Sequence, residues 1–132
     1  MATECMEQKL LFQDHGARKV EAAFDGGMIT SDGGALLLRE LEFKQQIVTD
    51  FARCFTDHRT AWAVEFSVEQ LLKQRVFGLA LGYEDLNDHD LLRHDPLLAV
   101  LVGRADPAGQ DRQRPRDRGA PLAGKSTINR LE

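Results

Sequence analysis

The chain has 132 residues, 42% of them apolar, enough for one compact domain with a core of its own. Its formal net charge of −4 excludes a uniformly basic nucleic-acid binder, so any affinity for a polyanion has to come from local patches. Cys5 and Cys54 match no metal-binding spacing, and the N-terminus, with Glu4 and Glu7, lacks the apolar stretch of a signal peptide, which predicts free thiols in a reducing cytoplasm.

Residues 1–18 are polar and mixed and are expected to form a flexible N-terminal arm. Residues 19–102 read as a β-hairpin followed by a helical region. Val20, Ala22 and Phe24 alternate as a strand would, Asp25-Gly26-Gly27 is a turn signal, and Met28-Ile29-Thr30 predicts the return strand. Ser31 or Asp32 is placed to cap a helix starting near Gly33-Gly34. In it, Leu37, Leu38 and Leu41 share a face, and Ile47, Val48, Phe51, Ala52 and Phe55 continue the helical spacing. Asp57 is a candidate cap for a short segment through Trp62 and Phe66, with Trp62 and Tyr83 expected in or at the edge of the core.

The strongest helix signal is SVEQLLKQRVFGLALG. Ser67 and Gln70 have capping-box spacing, Glu69 and Lys73 stand in the favourable i,i+4 order, and Gly82 marks a left-handed C-terminal cap. Val68, Leu71, Leu72, Val76 and Leu79 give it a broad apolar face. No apolar run is long enough to span a bilayer.

The segment GYEDLNDHDLLRHDP concentrates residue types that a hydrolytic or metal site uses. Helical geometry argues against one. Asp88 and Asp90 would point roughly 200° apart at about 100° per residue, and Asp90 with His94 supplies fewer ligands than a zinc site takes. Local backbone roles account for more: Asp85 or Asp88 caps a helix carrying Leu91 and Leu92, Arg93 and His94 sit at its C-terminal end, and Asp95-Pro96 starts the next helix.

Residues 103–124 are rich in Gly, Pro and Arg and are expected to form a linker. GAPLAGKS, from Gly119 to Ser126, fits the letters of GxxxxGKS, but the preceding DRQRPRDR is no buried strand, so a phosphate loop is not expected. Residues 125–132 read as the start of a helix, capped by Ser126 or Thr127 and beginning at Ile128. Candidate phosphate contacts are Lys73, Arg75, Arg112, Arg114, Arg116, Arg118, Lys125 and Arg130.

SDGGALLLRELE, SVEQLLKQRVFGLALGYEDLNDHDLLRHDP and PLAGKSTINRLE, in this order, resemble the N-terminal part of bacterial insertion-sequence transposases of the DDE class, of the thirteen-eighty family. The resemblance runs from about residue 20 to the end and implies a cut-and-paste DNA transposase. It further implies an RNase H-like catalytic domain holding two Mg or Mn ions through Asp, Asp and Glu, which activate water and then a 3′-hydroxyl. In that family the three acids follow the segment represented here, so no residue of this chain inherits a catalytic or metal-binding role. The arginine-rich stretch departs from the short connection usual in the family.

The expectation is a mainly α chain with a small β-hairpin, truncated before the catalytic domain and catalytically inactive. Its expected partners are transposon-end DNA and the full-length transposase or a second copy, with no membrane. Two other classes differ in their observables. A stand-alone DNA- or transposase-binding module would inhibit transposition. A small nuclease built on Asp85, Asp88, Asp90 and His94 would require a divalent metal.

Overall fold

The computed structural model describes residues 9–27 and 29–131. The architecture is mainly α-helical with one two-stranded antiparallel hairpin. The hairpin joins β1 (Leu10–His15) and β2 (Arg18–Ala22). Leu10 pairs with Ala22, Phe12 with Val20 and His15 with Arg18, and the register shifts between Phe12 and His15.

This hairpin lies one strand earlier than the alternation from Val20 to Thr30 predicts. Val20 and Ala22 are strand residues, but their partner comes from the expected arm, and Phe24 is almost fully exposed. The reason is tertiary. Phe12, Val20 and Ala22 pack together against the core, and Arg39 donates to the Gln13 and Asp14 carbonyls at 2.5 and 3.0 Å. In the Asp25-Gly26-Gly27 turn the Asp25 carboxylate accepts from the Gly27 amide at 3.0 Å. Met28, which would begin the expected return strand, lies outside the described residues, as do Cys5 and the other residues of 1–8.

Among the described residues six α-helical segments follow, with three short 3₁₀ turns between them: α1 (Ala35–Gln45), α2 (Ile47–Ala52), α3 (Val68–Ala80), α4 (His89–Leu92), α5 (Pro96–Val102) and α6 (Lys125–Ile128). α1 turns a different face inward from the one its leucines suggest. Leu36 and Arg39 are buried, whereas Leu37, Leu41, Ile47, Phe51 and Phe55 remain exposed. Holding the hairpin carbonyls requires Arg39 to face inward, which carries Leu37 and Leu41 outward on the helical period. Asp32 does not cap α1 with its side chain; its carboxylate accepts from the Tyr83 hydroxyl at 2.8 Å.

α3 is the centre of the fold and packs against α2 and α5. The Ser67–Gln70 capping box is present in both directions, and Lys73 reaches Glu69 at 2.6 Å. At the other end Gly82 takes a φ of 96°, while its amide donates to Leu79 and the Tyr83 amide to Gly78 at 3.0 and 2.9 Å. That pair of bonds is a Schellman closure, satisfying two carbonyls the helix would otherwise leave open. Asp95 caps α5 by accepting from the Leu97 and Leu98 amides, with Pro96 in the first turn.

One apolar cluster joins Leu36, Phe77, Leu92, Leu98, Leu101, Val102 and Leu122, and a second joins Phe66, Leu71, Ala123 and Ile128. Both draw on residues 120–123, a stretch expected to belong to the linker. Its packing differs from that expectation because Ala120, Pro121, Leu122 and Ala123 are buried. The cap of α6 also differs: it begins at Lys125 after Gly124, with no side-chain capping bond from Ser126 or Thr127.

Gly109 tests this packing. Its φ is +69°, and a Cβ there would stand 2.6 Å from the Pro121 nitrogen and 2.9 Å from the Ala120 carbonyl carbon. Gly109→Ala is expected to cost about 2 kcal/mol from backbone strain and overpacking. Thermal unfolding checks it; an unchanged midpoint would mean that residues 103–124 do not pack as described.

Candidate nucleic-acid interface

Three segments that are distant in sequence build one cleft of about 600 Å³. They are the loop from Phe55 to Phe66, the arginine-rich stretch from Arg112 to Asp117, and α6 with its continuation to Leu131, joined by Val68 and Leu71 of α3 and by Asp90 and Arg93. Six arginines line it, namely Arg59, Arg93, Arg112, Arg114, Arg116 and Arg130, against four carboxylates, Asp57, Glu65, Asp90 and Asp117. The lining is therefore cationic in a chain whose net charge is negative.

Half of these arginines build the walls. Arg59 donates to both Asp57 oxygens at 2.8 and 2.6 Å and to the Phe66 carbonyl at 2.9 Å. The side-chain bonds, then the Arg59 amide, hold the Asp57 carboxyl down to about 2. Arg59, not Asp57, thus ties down this loop, and Asp57 caps no helix; the short 3₁₀ turn Ala61–Ala63 begins after Thr60.

Arg112 is 6% exposed. Its guanidinium makes a two-pronged contact with Glu65, at 2.6 and 3.1 Å, and donates to the Ala120 carbonyl and, at 3.2 Å, to the Leu122 carbonyl. It also lies over the Phe66 ring, 4.8 Å from the centroid, with Arg104 on that ring at 4.9 Å. Burial acts to raise the Glu65 carboxyl. The Arg112 hydrogen bonds, the Gln113 amide and the charges of Arg112 and Arg104 outweigh it and hold the group below its ordinary value. Arg93 reaches Asp117 at 3.0 Å. There too burial acts upward, and the Arg93 bond with the charges of Arg112, Arg93 and Arg116 wins.

The other half are available. Arg114, Arg116 and Arg130 are exposed and make no hydrogen bond or ion pair with the described residues.

Of the eight cations the sequence nominates, the structure brings Arg112, Arg114, Arg116 and Arg130 into this cleft and leaves four elsewhere. Lys73 lines a different cleft and is neutralised by Glu69 and, at 3.9 Å, Glu42. Arg75 donates to the Glu84 carbonyl at 3.1 Å. Arg118 is exposed outside the cleft, and Lys125 is held by Asp90 at 3.3 Å and Asn87 at 3.0 Å. Sequence reasoning passed over Arg59, Arg93 and Phe55, which no local pattern sets apart from ordinary surface or helix residues.

Three carboxylates of the acidic segment, those of Asp85, Asp90 and Asp95, go to backbone amides, and α4 begins after Asp88 with no side-chain cap, unlike the expectation that Asp85 or Asp88 caps it. Asp85 accepts from the Asn87 amide at 2.8 Å, and Asp90 accepts from the Lys125 amide at 3.1 Å. These amides lower both carboxyls, Asp90 with further help from the Lys125 ammonium. His94 meets the Gly119 carbonyl at 3.2 Å. Among the described residues no three of His, Cys, Asp and Glu stand together as ligands for a metal ion. The described residues do not fit the Mg or Mn pair implied by the resemblance. No helix among the described residues is long and apolar enough to cross a membrane.

The arrangement can grip a polyanion: walls locked by ion pairs, of which only that of Arg112 has a buried guanidinium, and three exposed guanidinium groups on a shared surface. A family model described as transposase DDE domain group 1 matches residues 12–132. Neither a curated protein nor a solved structure matches the chain. The match takes in the hairpin from Phe12 onward, the six α-helical segments described and the walls of the cleft, and the chain belongs to the transposase DDE domain group 1 family.

Proposed function

We propose that this chain is the N-terminal, DNA-holding portion of an insertion-sequence transposase of the thirteen-eighty type. Arg114, Arg116 and Arg130 take phosphates of transposon-end DNA, and Arg59, Arg93 and Arg112 keep the walls in place. The observation that carries the reading is the convergence of three exposed cations, with no hydrogen bond or ion pair among the described residues, from both sides of one cleft, in a member of a transposase family. Catalysis is left to an Asp-Asp-Glu set beyond these residues, and the chain alone is inactive in strand cleavage and transfer.

Fluorescence anisotropy with labelled transposon-end DNA tests this. Three phosphate contacts predict a slope of log K against log salt of roughly −2 to −3. Replacing Arg114, Arg116 and Arg130 together with alanine should abolish most of the binding and flatten the slope, whereas Lys73→Ala should change neither. Equal affinity in the triple variant would sink the assignment.

A second reading, a module that binds the full-length transposase or a second copy and inhibits transposition, is favoured by the exposed apolar stripe Leu37, Leu41, Ile47 and Phe51. The same triple variant separates the two: inhibition of transposition on co-expression that survives loss of DNA binding supports the protein partner.

A further inference from the structure

Trp62 is 84% exposed. Tryptophan is among the most buried residue types on average, so an indole left in water on a well-anchored turn is informative. The anchoring is specific. The Ala63 and Val64 amides close the turn onto Thr60 and Ala61 at 2.9 and 3.3 Å. Before it, Arg59 is bound to Asp57 and to the Phe66 carbonyl; after it, Glu65 is held by Arg112 and Phe66 is buried under two guanidinium groups. The loop is thus fixed at both ends, and its ring is presented rather than packed. Its chain neighbour Ala63 lines the arginine cleft, as does the partly exposed Phe55.

Cations that follow a phosphate backbone, and an aromatic ring open to solvent on the loop that forms one wall of their cleft, are the two components of a single-strand binding surface. The charges track the backbone, and the ring offers a face on which a base stacks, which an intact duplex cannot supply from its interior. We infer that Trp62 is a stacking platform for an unpaired base, and that the cleft therefore prefers a single-stranded or frayed segment of DNA over intact duplex. This rests on the phosphate-binding reading of the cleft and adds to it the strandedness of the substrate.

The sequence holds one tryptophan, so its emission reports this position alone. The full chain is titrated with three probes: a single-stranded oligonucleotide, the same sequence as a blunt duplex, and inorganic polyphosphate, which has the charge and no bases. The expected result is strong quenching by the single strand, weaker quenching by the duplex and none by polyphosphate. Anisotropy with labelled oligonucleotide should show Trp62→Ala losing roughly tenfold in single-strand affinity. Trp62→Phe should retain most of it, and polyphosphate affinity should be unchanged in both. Circular dichroism confirms the fold of each variant, which an exposed position should leave intact.

Binding of the single strand without quenching, and with the affinity of Trp62→Ala equal to the parent, overturns the stacking inference and leaves the phosphate cleft standing. Equal quenching by duplex and single strand overturns the preference for unpaired bases. Absence of binding to all three probes overturns the cleft reading as well.

Discussion

Replacing Arg112 with methionine is expected to destabilise the protein by about 3–5 kcal/mol, the range for removing one partner of a buried ion pair. The cost is not the loss of one contact. Glu65 would stay largely enclosed without its two-pronged partner, and the Ala120 and Leu122 carbonyls would lose their donor. Lysine should not rescue the position, because a point-like ammonium cannot address Glu65 with two nitrogens while reaching the carbonyls and covering the Phe66 ring.

Urea denaturation of Arg112→Met, Glu65→Gln and the double variant forms a cycle. The double variant should lose markedly less than the sum of the singles, since each single strands the other partner. A loss below about 1 kcal/mol for Arg112→Met would show the pair to be far more solvated than its burial implies. The pH dependence has a definite sign. Glu65 has a folded value below its ordinary one, so its contribution is complete above the ordinary value and fades as pH falls through the folded value. The gap in stability between parent and Arg112→Met should therefore narrow as pH falls through the folded Glu65 value, because the parent loses the pair there and the variant has no pair to lose.

Gln74→Leu, nearly isosteric, is expected to cost about 2–4 kcal/mol. Gln74 is buried on α3 and treats residue 123 as a strand neighbour would. Its Oε1 accepts from the Ala123 amide at 3.0 Å, and its Nε2 donates to the Ala123 carbonyl at 2.7 Å. The same nitrogen approaches Nδ1 of the buried His89 at 3.1 Å. Leucine would leave the Ala123 amide and carbonyl enclosed without these partners, and each such group costs about 1–3 kcal/mol. Hydrogen exchange gives the local readout: the Ala123 amide should lose protection beyond the global change. Retained protection with a stability loss under about 0.5 kcal/mol would refute the clamp. Because residues 120–123 supply both apolar clusters and precede α6, this one amide also positions Arg130 against the opposite wall.

Local chemistry was readable wherever the partners are within a few residues. The Ser67–Gln70 box, the Glu69–Lys73 pair, the left-handed Gly82 and the Asp95-Pro96 start all occur as the sequence predicts, because each is completed inside a single helical turn. The acidic segment follows this only in part: Asp85 caps the 3₁₀ turn Leu86–Asp88 and Asp95 caps α5, whereas α4 begins after Asp88 without a side-chain cap and Asp90 goes to Lys125, 35 residues away. The long signature strings carried the family, since they are matched as text and need no geometry.

Tertiary structure alone decided which faces and which arginines are hidden. Alternation from Val20 onward is real, but strand pairing went to residues 10–15, where Arg39 supplies donors for the turn-side carbonyls. Leu37 and Leu41 of α1 have the right period and still face outward while Leu36 is buried, because a periodic pattern fixes a face and not its partner. Arg112, one of several alternating arginines in a polar run, is buried because Glu65, 47 residues away, meets it over Phe66, while Arg114 and Arg116 beside it stay exposed. Trp62, expected in the core or at its edge, is held out in water by anchors on either side of its turn. An ionic or aromatic side chain carries no local mark of being buried or displayed. That depends on a carboxylate, a ring or a carbonyl brought from far along the chain, and only the folded packing delivers it.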